Sequence, residues 1–414
     1  MSEVFLEIEP RFKGKIALWH TGFRPFFILA AFSAFFLMLL WGGIFFHGKP
    51  PLGQMYFLIG GISWHAHEMI FGFAGAVVAG FLLTAVKNWT HLSTLHGASL
   101  ALVAVLWLVC RILPFIPFDG SLITWLSCFL ECSFWGILSV QLTRNVVAKK
   151  QWKQMAIIGK LWLFVPAVLV FHLGLLGVWH LGVVVGLYSG FYLVLALILT
   201  MARRVMPMFI ERGLNNGFVP KNSKALDRWS LVLFFIFSIL EIIAQVNYNS
   251  NLRLACGVLA GVQALLHFYR LSLWHHPALW RHPLLMSVFA GYVAFILGFA
   301  LEALNMLGVK MLSTSLAVHC FAIGGIGLFA FGMMARVALG HTGRSVYAPP
   351  KFLGCVFWAL VLAGILRVFF VLFFPEKSTT WILSAQAFWL AASLLFAVLY
   401  TKMLILARVD GSWG

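Results

Sequence analysis

The chain has 414 residues, 62% of them hydrophobic and only 10% charged, with a net charge of +17 and a mean hydropathy of +0.97. These values exclude an ordinary soluble globular protein and leave no room for a separate soluble domain. The excess of base does not point to nucleic acid, because the lysines and arginines collect in short segments between apolar runs.

Apolar runs of about 20 residues recur from end to end, each long enough to cross a ~30 Å hydrocarbon core as a helix. The predicted architecture is an all-α, polytopic membrane bundle forming a single transmembrane domain over 1–414. Twelve spans are expected at roughly 23–46, 65–86, 94–116, 121–142, 155–178, 180–201, 228–246, 253–273, 283–307, 313–335, 352–374 and 380–405. The segment Met1 to Gly22 mixes acids and bases and lacks the apolar core of a cleaved signal. Alternate loops hold most of the bases, so the positive-inside bias predicts both termini cytoplasmic.

Spans two and ten share a pattern at an offset of 252: His67 matches His319, Gly72 Gly324, Gly75 Gly327, Gly80 Gly332 and Thr90 Thr342. Arg24-Pro25-Phe26-Phe27 and His282-Pro283-Leu284-Leu285 each open an apolar span ahead of one of these helices. Arg111 and Arg367 follow in spans three and eleven, and Trp125 and Trp381 open the spans after those. Met201-Ala202-Arg203 resembles Met334-Ala335-Arg336 and ties in a more diverged middle unit. The expected units are four-helix repeats at 23–142, 155–273 and 283–405, in parallel orientation about an axis along the membrane normal. Small-residue helix packing alone would explain the glycines, but not the matched His and Thr.

An imidazole in a bilayer is costly without a partner, so the deep histidines are the candidate site. Trp64-His65-Ala66-His67-Glu68-Met69 is the densest polar cluster. At 100° per residue His65, Glu68, Met69, Gly72 and Gly75 share one face and His67 points the other way. His65 with Glu68 or Met69 offers a copper-type donor set. His67 and His319 are expected to converge as a haem or metal ligand pair, with His172 and His180 as further candidates. Glu68, Glu131, Glu241 and Glu302 are the acids available as hydrogen-bond partners or as a proton path. Against any single ligand stands the plainer role of a histidine bonded to a carboxylate or carbonyl. The six cysteines include no CxxC pair, and Cys128 and Cys132 read as small apolar packers.

Three stretches carry a resemblance: Arg24-Pro25-Phe26-Phe27, Trp64-His-Ala-His-Glu-Met-Ile-Phe-Gly-Phe73 with Gly80-Phe-Leu-Leu-Thr-Ala-Val-Lys-Asn-Trp-Thr90, and Ala335-Arg-Val-Ala-Leu-Gly-His-Thr-Gly-Arg344. Together they resemble the NnrS family of bacterial inner-membrane proteins. The resemblance implies a protein with haem b and copper as cofactors, linked to nitric oxide exposure, nitrosative stress and denitrification. It assigns no ligands. The expected partners are the lipid bilayer and nitric oxide, with quinol or another electron donor for any haem-dependent oxidoreductase step. The alternative reading is a small-molecule or ion transporter with structural histidines.

Overall fold

The computed structural model describes residues 14–47 and 59–414. The N-terminal segment before Gly14 and the loop base Lys49 therefore lie outside the described residues. All regular structure among the described residues is helical, save one isolated bridge between Ile16 and Leu406.

Among the described residues, twelve helices are long and apolar enough to cross a membrane. They are α1 (Phe23–Phe46), α2 (Gly61–Thr90), α3 (Gly97–Phe115), α4 (Gly120–Ala148), α5 (Trp152–Leu175), α6 (Gly182–Leu214), α7 (Lys224–Val246), α8 (Ser250–Trp274), α9 (Pro283–Met306), α10 (Thr314–His341), α11 (Leu353–Phe373) and α12 (Pro375–Ile405). Side-chain caps start several of them. Asp119 accepts from the Leu122 N–H at 2.8 Å ahead of α4, and Asn249 accepts from Asn251 and Leu252 ahead of α8. Pro283 opens α9, where its missing N–H costs nothing. Several helices outrun the apolar windows: α4 continues to Ala148 and α6 to Leu214, where Arg144, Arg203, Arg204 and Arg212 ride on helix rather than loop. Hydropathy marks the hydrocarbon core, whereas backbone hydrogen bonding carries a helix on into the polar interface.

Burial sorts the spans. The most apolar stretches of α2 and α10 are 72% and 78% buried, against 33% for α7, α8 and α11. The helices carrying His67 and His319 thus run through the middle, and the outer helices turn residues such as Leu102, Phe129, Phe235, Leu265 and Val398 outward. Helix association in lipid rests on close packing, because hydrocarbon competes for every apolar contact.

Both ends of the described chain meet on one face. The Ala17 N–H donates to the Ile405 carbonyl at 2.8 Å. The wholly buried Arg24 guanidinium donates to the Leu404 and Leu406 carbonyls at 2.9 and 2.7 Å. Beside it, two hydrogen bonds from Arg408 hold the Asp410 carboxyl well below the usual carboxylate range. An even number of crossings produces this arrangement.

α5 and α6 approach closely through glycine. A Cβ on Gly186 would sit 2.6 Å from Phe171 Cβ and 2.7 Å from its Cα. Phe171 and His172 are neighbours, so this contact sets how deep His172 reaches into the bundle. Gly186→Val is expected to overpack the contact, cost roughly 1–3 kcal/mol and lower the melting temperature of the detergent-purified protein.

Candidate metal centre and adjoining cavity

α2 is not a uniform helix. It runs as α-helix over Gly61–His67, as π-helix over Glu68–Ala74 and as α-helix again over Gly75–Thr90. α10 does the same, with α-helix to His319 and π-helix over Cys320–Gly327. A π-turn adds a residue per turn and rotates every side chain beyond it. The expectation that His65, Glu68, Met69, Gly72 and Gly75 share one face is therefore corrected. Glu68 and Gly72 face Arg111, Gly75 faces Trp135, and His65 and Met69 turn to a different space. The assumption of 100° per residue fails at residue 68, where the i→i+4 ladder gives way.

The first cluster joins α2, α3, α4 and α5. His67 Nδ1–H donates to Glu68 Oε1 at 3.0 Å, and Arg111 Nη1 donates to the same oxygen at 2.9 Å. Arg111 Nη2 pairs with Glu131 Oε1. His67 Nε2 lies 3.1 Å from Glu131 Oε2. His172 donates from Nδ1 to the Val168 carbonyl at 3.0 Å, leaving Nε2 as a lone-pair donor 3.9 Å from Glu131 Oε2. That nitrogen has no hydrogen-bond partner among the described residues. Phe171 stacks on the His67 ring at 4.5 Å, and all five polar side chains are at most 5% exposed.

Charge decides what this cluster can hold. Two carboxylates and one guanidinium leave one negative charge uncompensated, a costly state in hydrocarbon. A proton on His67 Nε2, hydrogen-bonded to Glu131, neutralises it. A metal ion can take that proton's place, because ligation and protonation compete for the same lone pair. His67, His172 and Glu131 each offer one ligand atom, and these all lie within 4.8 Å of one another, a spacing that one ion can bridge. Glu68 behind His67 and the Val168 carbonyl behind His172 fix both tautomers, the usual outer support of a metal-bound imidazole.

The second space is a cavity of about 360 Å³ among α1, α2, α6, α10, α11 and α12. His65, Met69 and His319 line it, with Tyr188, Arg367 and Trp389. His65 stacks on Trp41 at 4.7 Å. His319 donates from Nδ1 to the Ser315 carbonyl at 2.7 Å, which leaves Nε2 as its lone-pair nitrogen. Arg367 Nη2 donates to Ser315 Oγ at 3.2 Å beside it. A smaller apolar cavity of about 60 Å³ continues beyond, sharing Ala74, Val194 and Ile326.

The expected ligands therefore divide. His67, His172, Glu68 and Glu131 meet in one cluster, whereas His65, Met69 and His319 line the other space. His67 and His319 do not share a site, because each follows its own helix to a different side of the core. His180 is exposed in the turn between α5 and α6 and belongs to neither. Glu241 and Glu302 are buried in α7 and α9 and belong to neither histidine group. Sequence reasoning gave no site role to Arg111, Arg367 or Tyr188. The signal for the first two was present: an arginine within an apolar span, repeated in spans three and eleven, demands a buried partner.

The family model described as NnrS protein matches residues 17–408. No curated protein matches the chain.

Arg111 is the only arginine or lysine bonded to both carboxylates among the described residues. Arg111→Leu is expected to destabilise the protein by about 3–5 kcal/mol, the cost of stranding buried charge. Thermal unfolding measures this, and adding Glu131→Gln should recover part of the loss.

Proposed function

The chain belongs to the NnrS family, and on that premise we propose that it handles nitric oxide in a bacterial inner membrane. In this reading a transition-metal ion sits between His67, His172 and Glu131, and haem b occupies the neighbouring cavity. Family membership points to the nitric oxide response. The observation that carries the metal assignment is the buried, unpaired Nε2 of His172, facing Glu131 Oε2 beside His67 Nε2.

Two neutral imidazoles and a carboxylate suit copper, iron or zinc. Copper in its monovalent state would conserve the cluster's charge, one positive ion replacing one proton. His67 and His172 bind the ion, Glu131 adds the anionic donor, and Glu68 and Arg111 hold His67 and Glu131 in place.

The cavity residues fit haem. His319 presents a lone pair with its tautomer already fixed, His65 faces the same space, the walls are largely apolar, and Arg367 suits a propionate. Haem bound there supplies iron to which nitric oxide coordinates. The gas is small and apolar, so it enters from the bilayer through the side-chain wall and needs no aqueous pore. Lys and Arg bias supports cytoplasmic termini, and in this reading both spaces belong to the periplasmic half of the bundle.

The 252-residue correspondence also favours the repeat reading, since the π-segments begin at Glu68 and Cys320. Trp135 packs on Gly75 as Trp389 packs on Gly327. Where the first unit has Glu68 the third has Cys320, so only the first retains the carboxylate behind its histidine.

Metal analysis and optical spectra of the purified protein test the assignment. Wild type is expected to carry the metal and a haem Soret band. His172→Ala and Glu131→Gln should lose the metal and keep the Soret band, while His319→Ala should shift or lose it. Unchanged metal content in both of the first two variants overturns the centre. Metal affinity should fall as pH drops, because protons compete for His67, His172 and Glu131; titration at a series of pH values measures it.

A further inference from the structure

α7 and α9 hold a second pair of buried acids that the metal and haem reading does not use. Glu241 on α7 is wholly buried and Glu302 on α9 is 2% exposed. Both sit in the half of the bundle away from the termini, near the ends of helices that start on the terminal face. Gln245 Nε2 donates to Glu241 Oε1 at 2.7 Å. Asn305 Nδ2 donates to Glu302 Oε1 at 3.3 Å and to Thr314 Oγ1 at 3.0 Å, so the group reaches the start of α10.

The two carboxyl groups lie within electrostatic reach of one another, and α7 and α9 pack together beside them through Leu240, Ala244 and Met306. With both ionised two negative charges face one another, and Glu241 Oε2 has no donor among the described residues. Two anions together in hydrocarbon are costly. The charged and titratable groups facing them are Tyr188 and Tyr192 from α6 and Cys256 and Arg253 from α8. Among the described residues no lysine interacts with the pair, and Arg253 is in the first turn of α8.

On the terminal side an aromatic layer closes the space. Phe237 and Phe234 pack edge-on to Phe299 at 5.8 and 6.0 Å, and the Phe299 ring stacks on His267. Below that layer His267 and Arg270 both bond the Tyr292 hydroxyl, at 2.6 and 3.1 Å, in a separate network. Tyr188, in electrostatic contact with both carboxyls, forms part of the wall of the cavity that His65 and His319 line.

We propose that Glu241 and Glu302 form a proton store: one proton shared between two carboxyls, exchanged with the face opposite the termini through Asn305 and Thr314, and held beside the cavity at Tyr188. A single proton satisfies the orphaned oxygen and halves the charge. The phenylalanine layer keeps that proton from the terminal side. The store stands independently of the metal and haem assignment; only its use at the cavity rests on that reading.

Infrared spectroscopy of the purified full-length protein reads the proton directly. At neutral pH the wild type is expected to show the C=O stretch of a protonated carboxyl, shifted to lower frequency in D2O. Glu241→Gln and Glu302→Gln should each lose that band. Thr314→Val with Asn305→Leu should keep the band and fail to complete the D2O shift in the time wild type needs. Absence of the band in wild-type protein overturns the store whatever the variants do, as does a band that appears only when sodium is withdrawn, which would mark a cation site. Loading haem into haem-free protein should shift the band frequency. An unmoved band overturns the link to the cavity and leaves the metal centre to its own test.

Discussion

The central constraint on this bundle is electrical neutrality inside hydrocarbon. Arg111, Glu68, Glu131 and His67 bring four ionisable groups from three helices into one volume that water does not reach. Each would be prohibitive alone. Together they are tolerable because every carboxylate has a cation or proton beside it. That requirement pins α2, α3 and α4 in register more tightly than apolar packing can, since lipid chains compete for apolar contacts but not for a guanidinium.

Neutrality also explains why the cluster suits a metal. A site that must hold one positive charge between His67 and Glu131 can take it as a proton or as an ion. His172 makes the exchange attractive, because its unpaired nitrogen gains a partner only from the ion. The glycine contact of α5 on α6 brings His172 to that depth. Packing on one side of the bundle therefore sets donor geometry on the other.

The π-segments in α2 and α10 partition the chemistry. Directly after His67 and His319 each helix widens, and side chains one residue apart face different spaces. His65 and Met69 look into the cavity, whereas His67 and Glu68 look into the ionic cluster. Two polar sites can thus share one helix with little more than its backbone between them.

The sequence by itself determined the twelve spans, the common face of the two termini and the choice of histidines worth attention. Those features follow from local composition: about 20 apolar residues must cross a bilayer, bases stay out of it, and a buried imidazole needs a reason. The family motifs were equally local. Which histidines meet was a different matter. His67 and His319 occupy equivalent places along their helices, yet His67 joins His172, over a hundred residues on, and Glu131. His65, counted with Glu68 on one face, lies with His319 instead. Only the tertiary structure decided this. Helical periodicity predicts a face only while the helix stays α, and the π-turns break it at the residues that matter. Partner choice also depends on how closely helices distant in sequence approach, and a single chain read alone carries no measure of that distance.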